Sequence, residues 1–113
     1  MKAAILTKTR KIEIKNIEKP EIKDNEVLIK VKLTGICGSD LHAYRGHHPF
    51  RKPPVILGHE VSGTVEEIGG MVDNIKIKDR VTVEPQLGCG ECEYCFVGKY
   101  NLCINRRAPG IGN

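Results

Sequence analysis

No stretch of this chain approaches the ~20 consecutive apolar residues that a membrane-spanning helix needs. The opening MKAAILTKTRKIEIK runs from a short apolar stretch straight into charge, with no small-residue cleavage site of the secretory kind. No internal repeat and no low-complexity tract is present, so repeat architectures are excluded. There is also no block of like charge. The 18 Lys and Arg and 14 Asp and Glu are scattered through 113 residues with a net charge of +4. Such a distribution reads as solvated surface and not as a nucleic-acid footprint. The expectation is one cytoplasmic domain over residues 1–113, with no membrane and no nucleic-acid partner. A domain of this size buries roughly 65% of its unfolded surface, enough to fold around a single core.

The chain also lacks the even cysteine count of a complete disulfide framework: it has five. In a reducing compartment clustered cysteines are metal ligands more often than disulfides. Four of them fall within CGECEYCFVGKYNLC, residues 89–103, and the fifth stands far upstream in GICGSDLH.

Between these features the chain reads as short strands. MKAAILT and RKIEIKNIE form two. EVLIKVKLTGIC is the clearest, with Val27, Ile29, Val31 and Leu33 on one face and Lys30, Lys32 and Thr34 on the other. SDLHAYRG suits one or two helical turns with Ser39 as N-cap. HHPFRKPP is a proline-rich loop, and HEVSGTVEEIGG a strand ending at the Gly69-Gly70 turn. A polar turn at Lys78-Asp79 precedes a strand from Val81 to Glu84. Many short strands with frequent Gly and Pro suggest a small β-barrel or sandwich.

The cysteine loop has the spacing C-x2-C-x2-C-x7-C: Cys89, Cys92, Cys95 and Cys103. Two-residue gaps let neighbouring thiolates converge, and the longer gap lets the chain return to close a tetrahedron around Zn²⁺ at ~2.3 Å. Gly88, Gly90 and Gly98 permit tight backbone around the sulfurs. A closed four-thiolate site leaves no position open for chemistry, so its work is folding. An iron–sulfur cluster and a redox or disulfide role are the alternatives. The first three cysteines match the start of a bacterial C-x2-C-x2-C-x3-C-P run, but the fourth comes after seven residues and is followed by Ile104.

Cys37 follows a predicted strand end, and His59-Glu60 opens another strand. Cys and His are zinc ligands, and a catalytic zinc takes three protein ligands plus water. Taken alone, however, a single Cys is usually a small buried hydrophobe.

GICGSDLH at 35–42, GHEVSGTVEEIG at 58–69, DRV at 79–81 and the cysteine loop occur in the order and at the distances of one known family. Over almost its whole length the chain resembles the zinc-dependent medium-chain alcohol and polyol dehydrogenases. The resemblance implies a mainly β fold: a GroES-like, partly open β-barrel with few short helices and a protruding zinc-binding loop, about residues 86–105. It implies two zinc ions, a structural one on Cys89, Cys92, Cys95 and Cys103 and a catalytic one on Cys37 and His59. By the same resemblance Asp40 orients the His59 ring through its other nitrogen. Ser39 takes the proton from a zinc-bound alcohol, His42 passes it towards water, and Glu60 lies beside the catalytic zinc and approaches or ligates it. Tyr44, His47 and His48 could line the substrate cleft, but the favoured reading for them is a solvated loop.

The implied reaction is oxidation of an alcohol to a ketone. Zinc lowers the pKa of the bound hydroxyl, and a hydride passes to NAD or NADP. The form CGSDLH is closer to the sorbitol, threonine and butanediol branches, so a secondary alcohol or polyol is the expected substrate. Two parts of the family pattern have no counterpart here. No third protein ligand for the catalytic zinc follows, with Glu60 the only substitute. The G-x-G of GIGN at 110–113 lacks the strand, helix and third glycine of a dinucleotide-binding turn. The chain is expected to be the front part of such an enzyme, inactive alone, and to associate into a homo-oligomer through uncovered apolar surface. The rival reading is a stand-alone, non-enzymatic zinc-binding GroES-like assembly module.

Overall fold

In β1 (Lys2–Lys8) and β2 (Lys11–Asn16) the chain makes a tight antiparallel hairpin. Its turn places Arg10 at φ 63°. A computed structural model describes residues 1–108; the GIGN reading at 110–113 lies outside them. The remaining elements are β3 (Val27–Thr34), α1 (Gly38–Tyr44), β4 (Val55–Ile56), β5 (Val61–Ile68), β6 (Arg80–Thr82) and α2 (Glu93–Phe96). A 3-10 turn follows at Tyr100–Leu102. The strands form two open antiparallel sheets, ordered β2-β1-β4 and β3-β5-β6. The mainly β architecture with few short helices is the one expected.

Among the described residues the buried apolar side chains are few: Leu6 on β1, Ala43 on α1, Val65 on β5, and Cys103. The open construction has a visible consequence on β3. The expected alternation does not bury Val31 and Leu33, which are 55% and 73% exposed. Register shifts between Leu28 and Ile29 and between Val31 and Leu33 break the two-residue period. The first adds Glu66 to β5, and the second adds Lys32 to β3, which takes Leu33 off the face that strict alternation assigns it.

Three other expectations are corrected. The helix is capped by Cys37 and not by Ser39. The reason is local: Asp40, three residues on, accepts the Cys37 amide at 3.0 Å, the reciprocal half of a capping box. Ser39 therefore sits inside the first turn. The last strand runs Arg80–Thr82 and stops short of Glu84. The pair Val55–Ile56 joins β1 as β4, where only a loop was read before it. The polar turn at Lys78-Asp79 is present, with Lys78 at φ 76° and the Asp79 carboxylate accepting the Lys76 amide at 2.9 Å.

What matters for function is the register of β3 against β5. Thr34 pairs with Val61, so Gly35–Cys37 and Gly58–Glu60 leave the same end of the sheet. Two segments over twenty residues apart thus meet. The Gly35 amide donates to the Glu60 carbonyl at 2.7 Å, and a Cβ at Gly35 would collide with the Glu60 carboxylate. Only glycine allows that approach.

With so small a buried core, each member counts. Leu6→Ala is expected to lower stability by about 2–5 kcal/mol, read as a shift in the urea midpoint. Ile14→Ala, on a side chain that is largely exposed, should change it by less than about 0.5 kcal/mol.

Candidate functional site

Asp40 is buried, and its two oxygens accept three hydrogen bonds and lie near a fourth group. Oδ2 accepts the Cys37 amide at 3.0 Å. Oδ1 accepts from Arg51 Nη1 at 3.1 Å and from the Gly58 amide at 3.3 Å, and lies 3.5 Å from His59 Nδ1. Arg51 is buried too and pairs with Asp40 across a gap in sequence that nothing local spans. A buried carboxylate has to be paired and hydrogen-bonded to be tolerated. Here the groups that satisfy it are the backbone of the two segments carrying Cys37 and His59.

Around this anchor, Cys37 Sγ, a ring nitrogen of His59 and a carboxylate oxygen of Glu60 all lie within 4.8 Å of one another. One sulfur, one imidazole and one carboxylate make a donor set suited to a catalytic zinc with an open position. The Glu60 carboxylate is near enough to complete a set of three donors. At Nδ1 the arrangement differs from a simple His–Asp pair, because Arg51 Nη1 is the nearer neighbour at 2.9 Å. A guanidinium only donates, so Nδ1 accepts from it in this arrangement. Donation from an Nδ1–H to Asp40 requires the 3.5 Å separation to shorten. Both neighbours occupy the Nδ1 side, which leaves Nε2 as the nitrogen for a metal; a neutral ring that ligates through Nε2 carries its proton on Nδ1, so metal binding would exchange acceptance from Arg51 for donation to Asp40. Arg51 had no signal in the sequence, since it lies in a proline-rich loop with no charged partner nearby in the chain.

Two of the three donors, His59 and Glu60, line a cleft of about 350 Å³ whose walls also include Ser39, His48, Gln86 and Arg106. Ser39 and His42 are three residues apart on α1 and so lie on one face of the helix. His42 is exposed and is not part of the cleft wall. Tyr44 lines a separate apolar cavity with Ile12, Ile36 and Leu41, and His47 is exposed. His48 departs from the solvated-loop reading. It is half-buried, and its Nδ1 accepts the backbone amides of Phe50 at 3.2 Å and Arg51 at 3.0 Å. Burial first, then the positive charge of Arg51, lowers its pKa below the ordinary histidine value.

The four remaining cysteines meet in the lobe after β6. The sulfurs of Cys89, Cys92, Cys95 and Cys103 lie within 4.8 Å of one another, all as free thiols. Cys89 and Cys95 Sγ are 4.0 Å apart, and the Cys89 amide donates to Cys103 Sγ at 3.4 Å. That spacing fits a tetrahedral four-thiolate zinc. Cys92 caps α2, and a Cβ at Gly88 would stand 2.8 Å from Cys95 Sγ, so the turn tolerates no side chain there. The ends of the lobe are clamped by a bridge in which Leu87 and Arg107 exchange backbone hydrogen bonds of 2.9 and 2.8 Å. Among the described residues no helix is long and apolar enough to cross a membrane.

Comparison with known proteins agrees with this geometry. The alcohol dehydrogenase GroES-like domain matches residues 23–113. The sorbitol dehydrogenase of Bacillus subtilis is 50% identical over 107 residues, covering 91% of this chain and 30% of that protein. Galactitol-1-phosphate dehydrogenase from Escherichia coli superposes with a TM-score of 0.90 at 32% identity, over 98% of this chain and 32% of its own. A dehydrogenase of the zinc-binding type from Sinorhizobium meliloti 1021, bound to NADP, gives 0.85 at 42% identity, over 99% of this chain and 32% of its own. The chain spans about a third of the length of these relatives.

Removing the Asp40 carboxylate leaves a buried guanidinium short of its counter-ion. Asp40→Ala should therefore destabilise the metal-free protein by about 3–5 kcal/mol, measured by denaturant unfolding in the presence of a chelator. An effect confined to metal binding, with unchanged unfolding, would contradict the anchoring role.

Proposed function

This chain belongs to the alcohol dehydrogenase GroES-like domain family, and from that premise we propose that residues 1–113 are the metal-binding catalytic segment of a zinc- and NAD(P)-dependent dehydrogenase of secondary alcohols or polyols. The observation that carries the reading is the convergence of Cys37, His59 and Glu60 at the edge of the cleft that Ser39 lines. The sorbitol and galactitol-1-phosphate enzymes among its relatives support a polyol, and the NADP-bound relative supports a nicotinamide cofactor.

When bound, zinc supplies the Lewis acidity that makes an alcohol hydroxyl acidic near neutral pH, and NAD(P) supplies the hydride acceptor. The chain's own share is holding the metal and moving a proton. Cys37, His59 and Glu60 are the proposed ligands, with Asp40 and Arg51 fixing the backbone and the ring behind them. Oxidation of CH–OH to C=O releases one hydride from carbon and one proton from oxygen. Ser39, in the cleft wall, is placed to accept that proton. His42, one turn along the same helix face and open to water, is placed to carry it out. Cys89, Cys92, Cys95 and Cys103 hold a second zinc whose role is to brace the lobe. A cytoplasmic homo-oligomer is the proposed setting; Leu33 and Ile36 are among the exposed apolar side chains that association would cover.

Zinc titration should give two metals per chain. Mild chelation should empty the Cys37–His59–Glu60 site first, because one of its ligands is an exposed carboxylate and one position stays open. Cys92→Ser should lose the tightly held zinc together with a drop in melting temperature, whereas Cys37→Ala should lose only the other metal. One metal per chain at every zinc concentration would defeat the proposal. In the full gene product, Ser39→Ala should slow nicotinamide reduction with sorbitol by about 10²–10⁴-fold at unchanged zinc content.

A further inference from the structure

His48 stands in the cleft wall with Ser39, His59 and Glu60, and no role follows for it from proton transfer or metal binding. Its ring chemistry is nevertheless fixed. Nδ1 accepts two backbone amides, from Phe50 at 3.2 Å and Arg51 at 3.0 Å. A nitrogen that accepts carries no proton, so the neutral ring holds its single proton on Nε2. Among the described residues Nε2 has no hydrogen-bond partner, and it is not sealed from solvent. Phe50 meets the ring edge-on, with centroids 6.3 Å apart and planes at 68°, which further limits its rotation. The result is a single N–H donor with a set orientation, on the wall of the space where the substrate would lie.

We propose that His48 is a specificity-determining residue that donates its Nε2–H to a hydroxyl oxygen next to the reacting one, and so selects polyols over simple secondary alcohols. The inference rests on the dehydrogenase reading above. Its physical basis is the cost of an unmade bond. A polyol supplies the acceptor, whereas a simple alcohol of similar reach leaves a desolvated N–H unpaired. Sites built to hydrogen-bond a substrate hydroxyl discriminate strongly against analogues lacking it. Burial and the Arg51 charge hold the ring neutral, which keeps Nδ1 available to the two amides. A purely structural role needs only the acceptor at Nδ1. Asparagine supplies that acceptor in turns of this kind, with a side chain too short to present the donor in the cleft.

The test uses the zinc-loaded chain with ¹⁵N-labelled histidine. Long-range ¹H–¹⁵N correlation should show His48 as a single Nε2–H tautomer. Its Nε2 resonance should move on titration with sorbitol and stay in place with 2-propanol. His48→Asn should keep the melting temperature, weaken sorbitol binding about tenfold, and leave 2-propanol binding unchanged. An Nδ1–H tautomer, equal responses to the two alcohols, or undiminished sorbitol affinity in a folded His48→Asn variant would each overturn the assignment. Metal stoichiometry is measured on the same samples. Failure of a second metal to bind takes down the dehydrogenase reading and this one together, whereas two bound metals with an indifferent His48 removes this one alone.

Discussion

The Asp40 carboxylate accepts from the Cys37 amide, the Gly58 amide and Arg51, and those bonds join the start of helix α1 to the segment that enters β5. The proposed ligands Cys37 and His59 sit on, or one residue beyond, the backbone positions so tied. Their separation is therefore set by a buried charge and its donors and does not depend on the side chains themselves. Burying a carboxylate against a guanidinium is not a cheap way to gain stability, since the desolvation of both charges offsets much of their attraction. What the pair secures is position: removal of either partner leaves the other charged and dry, so alternatives in which the two loops drift apart are disfavoured.

The sheet register supplies the second half of this arrangement. Pairing of Thr34 with Val61 brings the two loops off one sheet end, and the side-chain-free Gly35 lets Glu60 lie across the gap. A one-residue slip would move every β5 side chain to the opposite face, and would carry His59 and Glu60 away from Cys37. The centre is in this sense made of long-range contacts. The cysteine lobe is made of short-range ones, with all four sulfurs within fifteen residues and both ends clamped by Leu87 and Arg107.

That contrast explains what could be read in advance. The strands of the first hairpin, the Lys78-Asp79 turn and the four-cysteine spacing are local patterns, and local patterns survive in a sequence. Cys37 and His59 were linked only through resemblance, because nothing in the spacing of residues 37 and 59 says that β3 and β5 are neighbours. The cap at Cys37 is legible locally, since Asp40 three residues on completes a capping box; residue type alone points to Ser39. Arg51 and His48 were not legible. Each depends on a proline-rich loop folding back over α1, and there the loop's own amides fix the His48 ring. The alternation on β3 misled because bulges are not written into a hydrophobic period.

The two centres are also mechanically linked. Gln86 lies just before the Leu87–Arg107 clamp and Arg106 just inside it, and both line the cleft beside Glu60. Closing the four-thiolate lobe therefore places one wall of the cleft, while Asp40 and the β3–β5 register place the other. On the proposed reading a zinc would cross-link Cys89 and Cys103, the two sulfurs nearest the clamp in sequence, and a lobe without it lacks that tie. The clamp then rests on two backbone hydrogen bonds, each worth only about 0.5–1.5 kcal/mol net. Loss of the proposed bracing metal would thus loosen the Gln86–Arg106 wall before it disturbed Cys37 and His59, whose positions depend on a different sheet edge and a buried charge. Separating the proposed brace from the proposed reactive donors would let that centre keep an open position without asking it to hold the fold together.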